Sequence, residues 1–226
     1  MPPKSKPDNT GYQQLKKDIS AKQPGQLYIF HGEETYLRDY YLGRLKDLVL
    51  TGGMGTFNLH EIAAKDMNPH ALEQAIDCLP MMAERTLILV TDYDLFKAGE
   101  KDREEYIRLF SQLPDYCCLV FVYDLIDYKG DARTKLAAAL KKYGCVVNFL
   151  RQEQGDLVDW VRRRFKALGK DIDSRLALEL VFLCGDLMTN LVGRSKRSAP
   201  MPSSPTSPEE TLKRSPPPSW TRWCSV

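Results

Sequence analysis

The chain has 226 residues, with 32 Lys and Arg against 30 Asp and Glu, and a formal net charge of +2. An apolar fraction of 43% and a charged fraction of 27% are typical of globular proteins and argue against collagen, coiled coil or full disorder. There is no run of about 18 apolar residues and no N-terminal apolar segment, so we expect neither a membrane helix nor a secretory signal. Six cysteines without a Cys-x-x-Cys pair indicate reduced thiols and a cytoplasmic protein.

Charge is divided unevenly along the chain. Residues 1–193 carry 26 basic and 28 acidic side chains, a net charge of −2, whereas residues 194–226 carry 6 and 2, a net charge of +4. The second segment also holds seven of the fourteen prolines. Because so much Pro and Ser leaves little apolar surface to bury, we predict that residues 194–226 form a disordered tail.

Five short apolar runs alternate with helical patterns over residues 20–150, after an N-terminal segment, 1–19, that is either helical or flexible. The predicted strands are 27–30, 57–62, 86–91, 117–123 and 145–149. The predicted helices begin at Glu33, at Pro69 after the Asn68 cap, at residue 101 and at residue 133. Gly52, Gly53 and Gly55 break the first of these helical patterns. Strands that alternate with helices in this way predict an α/β fold, a parallel sheet with helices on both faces.

After residue 150 the strand pattern stops. Residues 151–193 show three helical patterns: the first ends at Gly169, the second is capped by Asp173 or Ser174, and the third begins at Asp186. This segment predicts a small, incomplete helical domain. Because it lacks further helices to cover it, we expect exposed apolar surface around Leu187, Leu191 and Val192.

The turn after the first strand is where a nucleotide-binding α/β protein carries its phosphate loop. Residues 31–35 read HGEET, without a Lys and with two carboxylates, Glu33 and Glu34, that would repel phosphate. Asp92 follows the third strand and could hold magnesium, although a solvated turn is the interpretation that we favour. The three histidines have no metal-ligand spacing, so we predict no catalytic residue, cofactor or metal.

Two surface features could bind a macromolecule. Arg162, Arg163 and Lys166 share a predicted helix and could contact DNA or another phosphate, although a solvated face is the more common explanation of such a pattern. Met81 and Met82 lie between a helix and a strand, where flexible side chains suit an adaptable protein-binding surface. From the residues alone, we favour the alternative that both methionines fill the edge of the core.

In order along the chain, residues 20–193 resemble the bacterial DNA polymerase III delta subunit family. The segments that carry the resemblance are LYIFHGEETYLRDYYLGRLK, FNLHEI, NPHALEQAIDCLPMMAERTLILV, GDLVDWVRRRFKALG and GDLMTNLVG. The resemblance implies an AAA+-like, RecA-type domain, a helical lid and a C-terminal collar domain. It also implies a clamp-loader subunit that does not bind ATP, in line with the missing phosphate loop.

The resemblance further implies which residues bind the sliding clamp. In the family, an apolar pair after a proline enters a hydrophobic pocket of the clamp and opens its dimer interface. Here that pair is Met81 and Met82, flanked by Leu79, Pro80 and Arg85. This reverses our interpretation of the two methionines. Because most family members carry an aromatic residue or Leu at the pair, we expect weaker clamp binding.

The partners implied by the resemblance are the beta sliding clamp, the gamma/tau and delta prime subunits, and primer–template DNA through the complex, with no membrane. Nucleotidyltransferase activity would belong to the DNA polymerase III holoenzyme, because this chain has no catalytic site of its own. The alternative that we keep is an ATP-binding or DNA-binding AAA+-like protein of replication or repair.

The sequence departs from the family after Gly193. The family continues with GEIEK, whereas here Arg194 follows. With suitable codons, the tail can be read one base earlier to give a helical continuation that begins EIEK. We therefore expect that residues 194–226 are out of frame, that the collar domain is absent, and that assembly with the other loader subunits is weakened.

Overall fold

The computed structural model describes residues 9–50, 55–130, 133–185 and 187–197, and it divides the chain into two compact units between Leu150 and Arg151. Several sequence interpretations fall outside the described residues: those on residues 1–8, Gly52 and Gly53, Asp186 and residues 198–226. No helix among the described residues is long and apolar enough to cross a membrane.

The first unit is built on a five-stranded parallel sheet. Its strands are β1 Leu27–His31, β2 Leu59–Ala63, β3 Thr86–Thr91, β4 Cys117–Val122 and β5 Cys145–Asn148, in the spatial order β2-β3-β4-β1-β5. Its helices are α1 Thr10–Ala21, α2 Thr35–Val49, α3 Pro69–Asp77, α4 Glu100–Ser111 and α5 Lys135–Tyr143. The predicted parallel sheet is confirmed.

Alternate residues of the central strands point to opposite faces of the sheet, and both faces are apolar. One face packs on α3, α4 and α5, which contribute Leu72, Phe110 and Leu140 to a common buried cluster with the strands. The other face packs with α1 and α2, where Tyr12, Tyr41 and Phe149 stack edge-on or face-on with one another. Burial on both sides explains why these strands are apolar runs rather than alternating patterns.

Local structure explains where three of these elements begin, two of them at a residue other than the predicted one. Strand β2 begins at Leu59 rather than at residue 57, because residues Gly55–Asn58 form a short 3-10 helix. Helix α2 begins at Thr35, with Glu34 at its N-cap position, so its first turn holds no acidic residue. Helix α3 begins at Pro69 as predicted, because the Asn68 side chain accepts a hydrogen bond from the Ala71 amide at 2.9 Å.

Helix α1 belongs to the core of the first unit. Leu15 is fully buried, and the Sγ of Cys145 in β5 donates to the backbone carbonyl of Gly11 at 3.3 Å. A Cβ at Gly11 would lie 1.9 Å from the Val146 carbonyl oxygen, so only glycine allows this approach of the helix to the edge strand. The segment therefore packs against β5 as an ordered helix.

The described residues of the second unit form three helices: α6 Gln154–Ala167, α7 Ser174–Cys184 and α8 Met188–Arg197. Asp173 caps α7, because its side chain accepts a hydrogen bond from the Arg175 amide at 2.9 Å. Helix α8 continues to Arg197, so the segment that we predicted to be disordered from residue 194 is helical over its first four residues.

The exposed apolar surface of the second unit is not where we expected it. Leu191 is fully buried, because α8 packs on α6 and α7 and turns Met188 and Leu191 toward them. The prediction for Leu191 was therefore wrong. The exposed apolar side chains lie instead on α7, which is apolar around most of its circumference: Leu176, Leu178, Phe182 and Leu183.

Candidate functional site

The loop between α3 and β3, residues 78–85, carries three large apolar side chains that face solvent. Leu79 is 71% exposed, Met81 is 56% exposed and Met82 is 85% exposed. Pro80 between them is half-buried. The alternative that the two methionines fill the edge of the core is therefore wrong for this structure, because most of each side chain lies outside it. We call residues 79–82 the apolar loop.

The backbone of the apolar loop is hydrogen-bonded to a buried side chain that no sequence pattern predicted. Asn58 is almost completely buried, and its Oδ1 accepts a hydrogen bond from the Met81 amide at 2.6 Å. Its Nδ2 donates to the Met81 carbonyl oxygen at 3.0 Å. Both backbone polar groups of Met81 are thus bonded to one buried amide, which fixes the backbone at the centre of the loop.

Two further features define the loop. Met82 has a φ of +51°, in the left-handed region that a residue with a Cβ adopts at a cost. Arg85, at the end of the loop, donates from a guanidinium nitrogen to the Pro24 carbonyl oxygen at 2.6 Å, which ties the entry of β3 to the segment before β1. The loop is therefore anchored at Met81 and again at Arg85, with the side chain of Met82 projecting between the two anchors.

Phe57 extends the apolar surface beside the loop. It precedes Asn58 in the 3-10 helix and is 61% exposed. Because Asn58 bonds directly to Met81, Phe57 lies on the same end of the sheet as the apolar loop, before the first residues of β2 and β3. No sequence signal singled out Phe57, since an exposed aromatic residue before a strand resembles the first residue of that strand.

Two backbone amides of the turn between β1 and α2, where a phosphate loop would present free amides, are bonded to protein carbonyls. The Glu34 amide donates to the Phe149 carbonyl oxygen at 3.0 Å, and the Thr35 amide to the Glu33 carbonyl oxygen at 3.1 Å. Gly32 has a φ of +125°, and a Cβ there would lie 2.4 Å from the Phe149 carbonyl oxygen. The side chain of Glu34 is fully buried. The turn is thus packed against the chain that follows β5.

Asp92 has a structural role that accounts for its place after β3. Its Oδ1 accepts hydrogen bonds from the Asp124 and Leu125 amides, both at 2.8 Å, and from the Ile126 amide at 3.4 Å. This is the turn interpretation that we favoured, with the carboxylate bonded to backbone rather than to solvent alone. In the described part of the chain, no group of three His, Cys, Asp or Glu side chains is placed to hold a metal ion.

Comparison with known families decides where the chain belongs. Residues 28–150, more than half of the chain, match the family described as DNA polymerase III, delta subunit. The chain belongs to this delta subunit family. The match covers the sheet, the apolar loop and the turn after β1, so the features described above are those of a delta-family α/β domain.

Two known proteins are similar to this chain, one in sequence and one in fold. The DNA polymerase III subunit delta of Bacillus subtilis is 28% identical over 183 residues, which cover 77% of this chain and 52% of that protein. The solved structure of the Bacillus subtilis DNA clamp loader delta protein superposes with a TM-score of 0.63 at 21% identity, over 82% of this chain and 56% of that one. The predicted α/β fold class is confirmed, because this chain shares the fold of that delta protein. The chain spans about half the length of these delta proteins.

The basic residues predicted as possible phosphate contacts lie in the second unit of this delta-family chain. Arg162, Arg163 and Lys166 are all exposed on α6, and Arg164 lies over the Trp160 ring, 5.4 Å from its centroid. Asp156 and Asp159 are exposed on the same helix. The helix therefore presents charges of both signs, as a solvated face does, and the phosphate contacts remain a prediction.

Burial suppresses the reactivity of the thiols within the sheet. It raises the pKa of Cys117 to about 12 and the pKa of Cys145 to about 11, and it also raises the pKa of Cys118. Thiols with such pKa values are protonated at neutral pH and are poor nucleophiles. The strand cysteines of this delta-family chain therefore serve as small core side chains.

Proposed function

We propose that the chain acts as a clamp-loader delta subunit: its apolar loop binds a sliding clamp and opens the clamp's dimer interface for loading onto primed DNA in the cytoplasm. Leu79, Pro80, Met81, Met82 and Arg85 are the proposed clamp-binding residues. The chain hydrolyses no ATP of its own in this proposal. Its further partners are the gamma/tau and delta prime subunits, with primer–template DNA reached through the complex.

The observation that carries the proposal is the exposure of three adjacent apolar side chains on an anchored backbone. The surface of a soluble protein rarely presents several large apolar side chains in one fixed loop unless a partner covers them. A few side chains usually contribute most of the binding energy of a protein interface. The exposed side chains of Leu79, Met81 and Met82 are the candidates for that role in this loop.

The energy available from the loop fits a mechanical role. Burying one large apolar side chain contributes about 1.5–3 kcal/mol, so the two methionines together supply a few kcal/mol. This is enough to stabilise one side of a dimer interface in an open form, provided that the loop fits the open form better than the closed one. A nucleotide bound to other subunits would decide when the loop is accessible.

The proposal is tested by measuring the affinity of the chain for a purified sliding clamp. Replacing Met81 and Met82 together by Ala should weaken binding about 30-fold or more, as expected for hot-spot side chains. Because both side chains are largely exposed, the midpoint of thermal unfolding should change little. Equal clamp affinity of the variant and the wild type would contradict the proposal.

Leu125 offers a matched control. It is 88% exposed, but it follows β4, at the carboxyl end of the parallel sheet, whereas the apolar loop precedes β3 at the amino end. Leu125→Ala therefore removes a comparable apolar side chain from the opposite end of the strands in the same unit. We expect it to leave clamp affinity unchanged, which separates a specific loop from general surface hydrophobicity.

The alternative functions predict different ligands. An ATP-binding protein of the same fold should bind a labelled ATP analogue, and the packed turn after β1 argues against this, because the Glu34 and Thr35 amides already donate to protein carbonyls. A DNA-binding protein that uses Arg162, Arg163 and Lys166 should bind duplex DNA with an affinity that falls steeply with salt. Titration with each ligand distinguishes these functions from clamp binding.

A further inference from the structure

We infer that Asn58 is the positioning residue of the apolar loop: its buried amide fixes the backbone of Met81 and so presents Met81 and Met82 in the conformation that a sliding clamp binds. This inference rests on the proposed function and adds a residue outside the loop to it. Asn58 itself is buried and is expected to make no contact with the clamp.

The hydrogen bonds between Asn58 and Met81 are reciprocal. The Met81 amide donates to the Asn58 Oδ1 at 2.6 Å, and the Met81 carbonyl oxygen accepts from the Asn58 Nδ2 at 3.0 Å. A planar amide that bonds both polar groups of one residue restrains the peptide units on either side of its Cα. Rotation of the Met81 backbone would break at least one of these bonds, so the direction of the Met81 side chain is set by Asn58.

The same restraint reaches Met82, the next residue. Met82 has a φ of +51° without being glycine, and such a conformation persists when surrounding contacts determine it. The peptide unit that precedes Met82 contains the carbonyl group bonded to Asn58, and the loop is tied again at Arg85. Release of Met81 would therefore allow Met82 to leave the left-handed region and turn its side chain elsewhere.

The position of Asn58 is fixed by the pairing of β2 with β3. It ends the 3-10 helix that leads directly into β2, and Leu59 of β2 pairs with Leu87 of β3. Asn58 thus stands before β2 while the loop stands before β3, and the two strands are neighbours. The distance between the amide and the loop is therefore fixed by paired strands.

A loop that is ordered before binding loses less conformational entropy when the partner binds, which increases affinity without any new contact. Met81 lies in an exposed segment, so water can replace Asn58 as the partner of its backbone in a variant. We therefore expect loss of the Asn58 amide to affect loop order and clamp affinity more than global folding.

The first arm of the test needs no clamp. Hydrogen exchange followed by NMR should show the Met81 amide exchanging about tenfold faster, or more, in Asn58→Ala than in the wild type, with core amides unchanged. Asn68→Ala is the matched control, because it removes another Asn-to-amide hydrogen bond, at the cap of α3, away from the loop. It should leave the Met81 amide as protected as in the wild type.

The second arm measures affinity for a purified sliding clamp. Asn58→Ala should bind about tenfold more weakly than the wild type, and Asn68→Ala as tightly as the wild type. Asn58→Asp can still accept from the Met81 amide but sets a carboxylate oxygen against the Met81 carbonyl oxygen, so its affinity should also fall below that of the wild type. This second variant also serves if Asn58→Ala does not fold.

The outcomes separate this inference from the proposed function. If the wild type binds the clamp and the methionine variants do not, but Asn58→Ala and Asn58→Asp bind as the wild type does, the inference is wrong and the proposed function stands. An unchanged rate of exchange at the Met81 amide in both variants also overturns the inference. If the wild type fails to bind a clamp, the proposed function is wrong, and so is the claim that Asn58 serves clamp binding.

Discussion

The carboxylate of Asp92 accepts a hydrogen bond from the backbone amide of Leu125 at 2.8 Å, and the amides on either side of Leu125 point at the same oxygen. Asp92 is the first residue after β3 and has a φ of +55°, and Leu125 lies in the loop after β4. One side chain thus joins the carboxyl ends of two neighbouring strands. The position after an apolar strand, which in other α/β proteins can hold magnesium, here stabilises a loop.

Asp92→Ala should lower the free energy of unfolding by about 1–3 kcal/mol, because three backbone amides lose a charged acceptor. Urea denaturation of the variant and the wild type measures this difference. Asp92→Asn keeps a neutral acceptor and should lose less. Asp47→Ala, a change of the same kind at an exposed position on α2, should stay within about 0.5 kcal/mol of the wild type. Equal stability of Asp92→Ala and Asp47→Ala would contradict this role.

His31, at the end of β1, should make stability depend on pH. Its ring stacks on Tyr128 with the centroids 4.6 Å apart, and burial lowers its pKa from 6.5 to about 4. Between these two pH values the unfolded chain binds a proton that the folded chain does not. The contribution of the neutral imidazole is therefore complete above pH 6.5 and is lost as the pH falls toward 4.

Unfolding by urea at neutral pH and near pH 4.5 measures this effect. Between these conditions the wild type should lose about 2–3 kcal/mol more than His31→Phe, in which a ring that does not titrate can keep the stack on Tyr128. The comparison with the variant removes the contribution of carboxyl groups that titrate in the same range. Identical pH dependence of the two proteins would contradict the lowered pKa of His31.

Phe57 is expected to widen the clamp-binding surface. It is exposed and stands next to Asn58, which is bonded to Met81. Phe57→Ala should weaken clamp binding by about 1 kcal/mol, roughly fivefold, and less than the change at the two methionines, because a residue at the edge of an interface contributes less than a central one. The affinity measured by calorimetry or surface plasmon resonance tests this. An effect larger than that of Met82→Ala would place the centre of the surface at Phe57 instead.

Two neighbouring residues of α7 test the packing of the second unit. Val181 is buried and Phe182 is 82% exposed. Val181→Ala should therefore destabilise the unit by about 1–3 kcal/mol, whereas Phe182→Ala should change its stability by less than about 0.5 kcal/mol. Thermal unfolding followed by far-ultraviolet circular dichroism distinguishes the two variants. A larger loss for Phe182→Ala would mean that α7 is rotated from the orientation described above.

The sheet and the start of α3 could be predicted because their signals are local. Thr86–Thr91 is an unbroken apolar run, as expected for a strand that is buried on both faces. The Asn68–Pro69 pair is by itself a sequence signal for the start of a helix. Helix α1 could not be assigned, because its stripe of buried residues is only Leu15 and Ile19 and its burial comes from packing on β5.

The candidate site was predictable only in part. The residues alone favoured the core edge as the place of the two methionines, and only the family resemblance favoured the surface. Asn58 left no signal, because its partner Met81 is 23 residues away and the hydrogen bonds exist only once β2 and β3 are paired. Polar side chains that position a loop through tertiary contacts have no spacing that a sequence pattern can show.

The most direct test of the account is hydrogen exchange of the chain alone and in the presence of a purified sliding clamp. We expect the clamp to protect the backbone amides of Leu79, Met81 and Met82, while the amides of α6 around Arg162 and Arg163 exchange as in the free protein. Clamp binding that protects α6 and leaves the apolar loop unprotected, or a failure to bind the clamp at all, would contradict the claim that Met81 and Met82 contact the clamp.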